Sequence, residues 1–401
     1  MSEEKGYVVV TVSGRDRPGI TASLTRVIVD HGVEIVDIDQ ATLHNFLGLS
    51  FLLELTGESR THDTVLKDLL FEAHRLEMTL SFQPLSQGEI PKKQDLNLFV
   101  LTFFGGTSAL AEMAAILGEE SANIQKISNL SSNSANCFEL VIDVRGANLS
   151  RLKKRVMQRS HELDIDLALQ KMEAYRKSKR VVFFDMDRTL IDMEIIDEMA
   201  RLAGVHEEVA RVTEKTMRGD IDFEDSLRQR TALMKGLTLD RLAEVRDSMD
   251  VSVGARELIA TLKRLGYKLG VVSGGFTYFA EHLREQLGLD FAFANELETK
   301  DGALTGRLDG EIIDDATKAK LLNRVSKEMG ILLDQTVAIG DGANDRLMLG
   351  QAGLGIAYNA HKGLRRSASM SLGRTRLMNI LYILGINEDD ISLATVGQER
   401  T

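Results

Sequence analysis

Residues 181–194 read VVFFDMDRTLIDME, four apolar residues that end on two carboxylates, Asp185 and Asp187, with Thr189 following. A short, wholly apolar, β-favouring run predicts a strand buried on both faces, as in a parallel sheet covered by helices. Side chains just past the carboxyl ends of such strands line the crevice where open α/β sheets bind ligands. Alternate residues of an extended segment point the same way, so the two acids converge on one small volume. They repel there unless a cation lies between them. The pattern suits a magnesium-dependent aspartyl nucleophile.

Two later segments repeat the design, YKLGVVSGGF at residues 267–276 and TVAIGDGAND at residues 336–345. Ser273, Gly274 and Gly275 offer a hydroxyl and unhindered backbone N–H groups to phosphate oxygens. Asp341 and Asp345 are hard oxygen donors suited to Mg2+, which takes one or two protein carboxylates and keeps waters and substrate phosphate as its other ligands. Between these segments Lys318 supplies a point positive charge for a phosphoryl group. Each motif alone has a plainer explanation: paired acids after a strand commonly form a solvated turn or a helix cap. Asp345 can equally orient Lys318 or cap the next helix.

Between the first and second motifs about seventy residues are strongly helical in pattern and carry no proline, which predicts a helical insertion at about residues 195–255. Beyond residue 375, RLMNILYILG predicts one apolar helix, and the acidic stretch after it is expected to be mobile. At 401 residues the chain exceeds what one core supports, so two or three domains are expected. A net charge of −11 with no offsetting basic stripe argues against nucleic acid and against anionic membranes. The KSKR cluster at residues 177–180 is expected to be a solvated linker. The single cysteine, Cys137, lies in an apolar run, is expected to be buried, and fits a reducing compartment. The opening MSEEKGYVVV has neither a basic nor an apolar leader region, and no run reaches the length of a membrane span; a soluble cytoplasmic protein is expected.

Before residue 175 the strand and helix patterns follow the order β-α-β-β-α-β twice, with a period of about ninety residues. PLSQGEIPKKQD, holding two of the three prolines, separates the copies. That order is the ferredoxin-like arrangement. The expected organisation is a first α+β domain at residues 1–84, a linker at 85–95, a second at 96–175, and an α/β domain at 178–401.

In this order, D-x-D-x-T at Asp185, Asp187 and Thr189, then Ser273, Lys318 and GDGAND, the sequence resembles the haloacid dehalogenase superfamily. Residues 181–360 look more narrowly like the phosphoserine phosphatase family, through Glu194 in IDMEIIDEMA, FEDSLRQR at 223–230, VVSGGF and GDGANDRLM. GRDRPGITASL in the first repeat looks like the opening of an ACT domain, a small amino-acid-sensing module. The resemblance implies a Rossmann-like haloacid dehalogenase core with a helical cap, preceded by two ferredoxin-like ACT domains.

It also implies roles. Asp185 is the nucleophile and Asp187 the general acid and base. Mg2+ is held by Asp185, the backbone carbonyl of Asp187 and Asp341. Ser273, Gly274, Lys318 and Asn344 grip phosphate. Glu194 and Arg230 read the ammonium and carboxylate of O-phospho-L-serine, and Phe223 closes over it. In the ACT-like module the loop with Asp16, Pro18 and Gly19 binds an amino-acid effector, L-serine by pathway logic, in a homo-oligomer. One position departs: the family carries Ser where Arg188 stands, which leaves the chemistry intact and bears on substrate identity. The alternatives are a phosphatase of the same superfamily acting on another small phosphomonoester, and an amino-acid-binding regulator with a vestigial catalytic half.

Overall fold

The computed structural model describes residues 6–55, 59–86, 96–131, 136–359, 370–373 and 376–396. The chain forms two compact units, Met1–Leu96 and Asn97–Thr401. Most of the expected linker, residues 87–95, lies outside the described residues.

The first unit contains β1 (Gly6–Arg15), α1 (Ile20–Asp30), β2 (Glu34–Leu43), β3 (Phe46–Leu55), α2 (Ser59–Arg75) and β4 (Thr79–Leu85). Its sheet runs β2-β3-β1-β4, with every neighbouring pair antiparallel. Alternate residues of β1, namely Val8, Val10 and Val12, are buried with Leu24 and Ile28 of α1 and Val65 and Leu69 of α2. One face of the sheet thus carries the helices, as period-two strands over period-3.6 helices require. Gly19 enters α1 at φ 99°, a left-handed conformation that glycine adopts without strain.

The second unit repeats this topology with β5 (Leu98–Phe104), α3 (Thr107–Glu119), β6 (Asn123–Asn129), β7 (Cys137–Asp143), α4 (Leu149–Glu162) and β8 (Leu167–Lys171). The sheet does not stop there. It continues through β9 (Val181–Phe184), β10 (Lys268–Phe276), β11 (Phe291–Lys300), β12 (Ala303–Asp309), β13 (Thr336–Gly340), β14 (Leu354–Tyr358) and β15 (Met370–Leu372). The 11-stranded order is β12-β11-β10-β9-β13-β14-β15-β8-β5-β7-β6. β9 lies between β10 and β13, parallel to both, and its four residues are fully buried.

The sheet and the apolar core both continue across residues 175–178. β15 pairs antiparallel with β8, and Phe104, Leu130, Cys137 and Ala168 share a core with Leu377, Leu381 and Tyr382. Lys179, expected in a solvated linker, is 6% exposed, and its Nζ donates to Asp334 O. The apolar tail segment is a 3-10 turn, Leu377–Asn379, running into the short helix Ile380–Ile383. The acidic stretch forms the helix Glu388–Val396, and the rest of the end expected to be mobile, residues 397–401, lies outside the described residues. A reciprocal cap starts the helix: Asp390 N donates to Asn387 Oδ1 at 2.8 Å, and Asn387 N donates to Asp390 Oδ2 at 3.0 Å.

Between β9 and β10 stand α5 (Ile195–Ala203), α6 (His206–Arg218), α7 (Phe223–Leu233), α8 (Leu239–Asp247) and α9 (Ala255–Arg264). Leu227, Met234 and Leu242 join the same apolar core as the sheet residues Phe184 and Val271. Among the described residues no helix is long and apolar enough to cross a membrane.

Candidate active site

Three parallel strands, β9, β10 and β13, end side by side, and the polar residues just beyond them meet. Asp185 follows β9 and Asp341 follows β13, while Ser273 and Gly274 belong to the last residues of β10. After α10 (Thr277–Leu287), Lys318 comes from α11 (Asp315–Glu328), whose N-cap Asp314 accepts from Thr317 N at 2.7 Å. Its ammonium is fully buried and donates to Asp185 Oδ1 and to Asp345 Oδ1 at 2.7 Å each. Burial opposes that charge, but the two carboxylates outweigh it and hold Lys318 well above the usual lysine range.

Carboxylate oxygens of Asp185, Asp341 and Asp345 lie within 4.8 Å of one another, all three residues buried. Asp345 has committed both oxygens, Oδ1 to Lys318 and Oδ2 to Gly342 N at 3.2 Å. It is the partner that orients Lys318, and it also adds negative charge to the cluster. The Asp341 carboxylate takes no hydrogen bond or ion pair among the described residues. Burial, then repulsion from Asp185 and Asp345, pushes it up to about 8. Burial and Asp185 push Asp345 to about 7. Three buried carboxylates against one ammonium are costly unless protonated or neutralised by a cation. Hard oxygen donors with a surplus of negative charge fit a divalent ion such as Mg2+.

Asp187 is 8 residues before Ile195, whose N–H donates to Asp187 Oδ1 at 3.4 Å. Burial, then the charges of Glu194 and Asp185, hold Asp187 well above the usual carboxylate range, which favours its protonated form. The side chain that joins the acidic cluster is Asp345 rather than Asp187.

The phosphate-side loop is tightly packed. Ser273 Oγ accepts from Gly275 N at 2.8 Å. A Cβ on Gly275 would lie 3.3 Å from Asp187 Oδ2, and one on Gly274 would lie 2.9 Å from Phe223 Cζ. Phe223, the first residue of α7, therefore rests on Gly274 in the last residues of β10, and glycine there permits the approach. Asn344 folds back on Gly342, whose Cβ would meet Asn344 Oδ1 at 2.1 Å. Arg230, also on α7, is 9% exposed; its Nε donates to Ser226 O at 3.4 Å, and it makes no ion pair among the described residues. Burial lowers its pKa, opposed by the charges of Glu194, Asp197 and Asp187. Glu194 is raised by burial, which Arg188 and Arg230 oppose.

Asp185, Asp187, Glu194, Phe223, Arg230, Ser273, Gly274, Lys318, Asp341, Asn344 and Asp345 thus surround one site in the second unit. Asp16, Pro18 and Gly19 belong to the first unit, where Asp16 N donates to Asn45 O at 2.8 Å and Thr42 Oγ1 donates to Asp16 Oδ2 at 3.4 Å. Asn295 was not singled out from the sequence. It is buried within β11, paired in parallel with Phe276 of β10, donates through Nδ2 to Gly274 O at 2.9 Å, and accepts at Oδ1 from Ile313 N at 2.8 Å. It ties the glycine loop to the entry of α11. Its signal was the polar break in FAFANEL, beyond a β-rich run like the other site residues. Thr189 Oγ1 is buried without a hydrogen-bond partner.

A profile for haloacid dehalogenase-like hydrolases matches residues 179–353, and one for the ACT domain matches residues 6–83. The chain is 40% identical over 392 residues to the phosphoserine phosphatase of Streptomyces coelicolor, spanning 96% of this chain and 94% of that one. It is 36% identical over 397 residues to the phosphoserine phosphatase of Mycobacterium tuberculosis, spanning 98% and 96%. Among solved structures it is similar to a probable phosphoserine phosphatase from Vibrio cholerae in unliganded form, with TM-score 0.59, 32% identity, and coverage of 78% of this chain and 91% of that one. With that identity maintained over nearly its whole length, this chain belongs to the phosphoserine phosphatase family of haloacid dehalogenase-like hydrolases, with an ACT domain at its N-terminus.

Proposed function

We propose that the chain hydrolyses O-phospho-L-serine to L-serine and phosphate, the last step of serine biosynthesis, through a covalent phosphoaspartate on Asp185. The observation that carries the substrate assignment is Arg230: a buried guanidinium with no ion pair among the described residues, in the field of Glu194. A cation and an anion on one pocket wall suit the carboxylate and ammonium of a zwitterion.

In the first step an oxygen of Asp185 bonds to phosphorus as the bond to the serine oxygen breaks, and the proton on Asp187 passes to that oxygen. In the second step water attacks phosphorus, Asp187 takes its proton, and the Asp185–phosphorus bond breaks. Lys318, Ser273, Gly274 and Asn344 bind the phosphoryl oxygens, and Phe223 on α7 helps to exclude water. Asp185, Asp341 and the carbonyl of Asp187 would hold Mg2+, which would supply charge neutralisation for the phosphoryl group. The ACT domain supports regulation by an amino acid. L-serine is the proposed effector at Asp16, Pro18 and Gly19, in a homo-oligomer.

Phosphate release from O-phospho-L-serine with Mg2+ tests the activity. The parent chain should turn over; Asp185→Asn should not, because an amide neither attacks phosphorus nor balances a cation. Asp187→Asn should be slowed by about 10²–10⁴. Parent-like turnover by Asp185→Asn, with its fold verified by circular dichroism, would remove Asp185 from the chemistry.

A further inference from the structure

Arg188 is tied at two points to the segment that carries Glu194. Its backbone N–H donates to Met193 O at 3.2 Å, and its side-chain Nε lies 3.2 Å from Glu194 Oε2. It stands at φ 55°, a left-handed conformation that an L side chain keeps only when its surroundings over-determine it. Glu194 immediately precedes α5, yet its carboxylate makes no capping hydrogen bond to that helix. The N–H of Ile195 goes to Asp187 instead. The Glu194 carboxylate is therefore directed to Arg188 rather than used on its own helix. Their side chains are 46% and 34% exposed, so the pair is open to exchange with a charged group arriving from solvent.

We propose that Arg188 is a specificity-determining residue: it competes with the substrate's ammonium group for Glu194, and so narrows the preference for amino-acid phosphomonoesters over those that carry a carboxylate but no amine. The inference rests on the proposed activity, in which Glu194 faces that ammonium. An arriving ammonium finds Glu194 already paired with a guanidinium, and must displace or share with a like charge. A phosphomonoester without the amine meets neither obstacle, while Arg230 stays available to its carboxylate. Serine at position 188, the residue the resemblance leads one to expect, would leave Glu194 to the ammonium alone.

The test compares O-phospho-L-serine with 3-phosphooxypropanoate, which is phosphoserine without its amino group. kcat and KM are measured for both with the parent, Arg188→Ser and Arg188→Gly. Glycine accepts the left-handed backbone without strain, so the second variant keeps the turn if serine does not. In both variants the ratio of kcat/KM, phosphoserine over the analogue, should rise by about three- to tenfold, the scale of one half-exposed charge contact. The rise should come from a lower KM for phosphoserine. In a Glu194→Gln background the same substitutions should leave the ratio unmoved. A ratio that stays level or falls, or a rise that persists in Glu194→Gln, overturns the inference. If the parent releases no phosphate from phosphoserine, the proposed activity fails and this inference with it; parent turnover without the rise sinks the inference alone.

Discussion

Asp341 and Asp345 share one predicament, carboxylates packed in a buried site beside Asp185, where Lys318 is the ammonium that pairs with Asp185 and Asp345. Their values near 8 and 7 without metal lie above the unfolded carboxyl value of about 4. A group that binds its proton more tightly when folded stabilises the fold at low pH and loses that contribution as pH climbs through its folded value. The metal-free chain should therefore lose stability between about pH 4 and pH 8. A divalent cation competes with those protons and benefits from their departure. The rise in melting temperature on adding Mg2+ should accordingly be larger at about pH 8 than at about pH 6. Equal rises at the two pH values, read by thermal scanning, would mean that these carboxylates are not the ligands. Close packing sharpens the arrangement: a Cβ on Gly340 would lie 2.4 Å from Asp345 Cγ, so that position holds Asp345 against Lys318 only as glycine.

At the scale of elements, the second ACT-like module and the phosphatase core share one sheet through β8 and β15, and share apolar packing through the segment Ile380–Ile383. A chain beginning at residue 178 would expose Phe104's partners, Tyr382 among them, to water. One beginning at residue 97 keeps the second unit whole. We expect residues 97–401 to fold, to hydrolyse phosphoserine, and to lose any response to serine that depends on the ACT domain. Residues 178–401 should melt lower or aggregate. Comparable melting temperatures for the two truncations would show that the shared core contributes little. Much of this was legible in the sequence. The strands before Asp185, Ser273 and Asp341 were visible because apolar runs ended abruptly on polar residues, and the repeated β-α-β-β-α-β order was visible as periodicity. The joining of the modules was not, because β15 is three residues long and its pairing with β8 is set by tertiary packing. Nor was the Arg188–Glu194 pair, which depends on a left-handed turn that an arginine gives no reason to expect. Asn295 was not singled out, because nothing local shows that its amide ties Gly274 to Ile313.

Across the whole molecule, groups far apart in sequence are brought to one point: Lys318 and Asp185 are 133 residues apart and 2.7 Å from each other. The sheet fixes Asp185, Ser273 and Asp341 on strands that cannot move independently, while α7 brings Phe223 and Arg230 over them. Rigid strands below and a helical cap above suit a reaction that needs a fixed nucleophile and excluded water. The central claim is that the phosphoryl group passes through a bond to Asp185. Mixing the full chain with phosphorus-labelled O-phospho-L-serine and Mg2+, quenching in acid within the first turnover, and mapping the label by peptide mass spectrometry tests it directly. The label should sit on Asp185 in the peptide that spans residues 181–194, and should disappear as phosphate is released. Phosphate release with no covalent label, or with label on another residue, would contradict it.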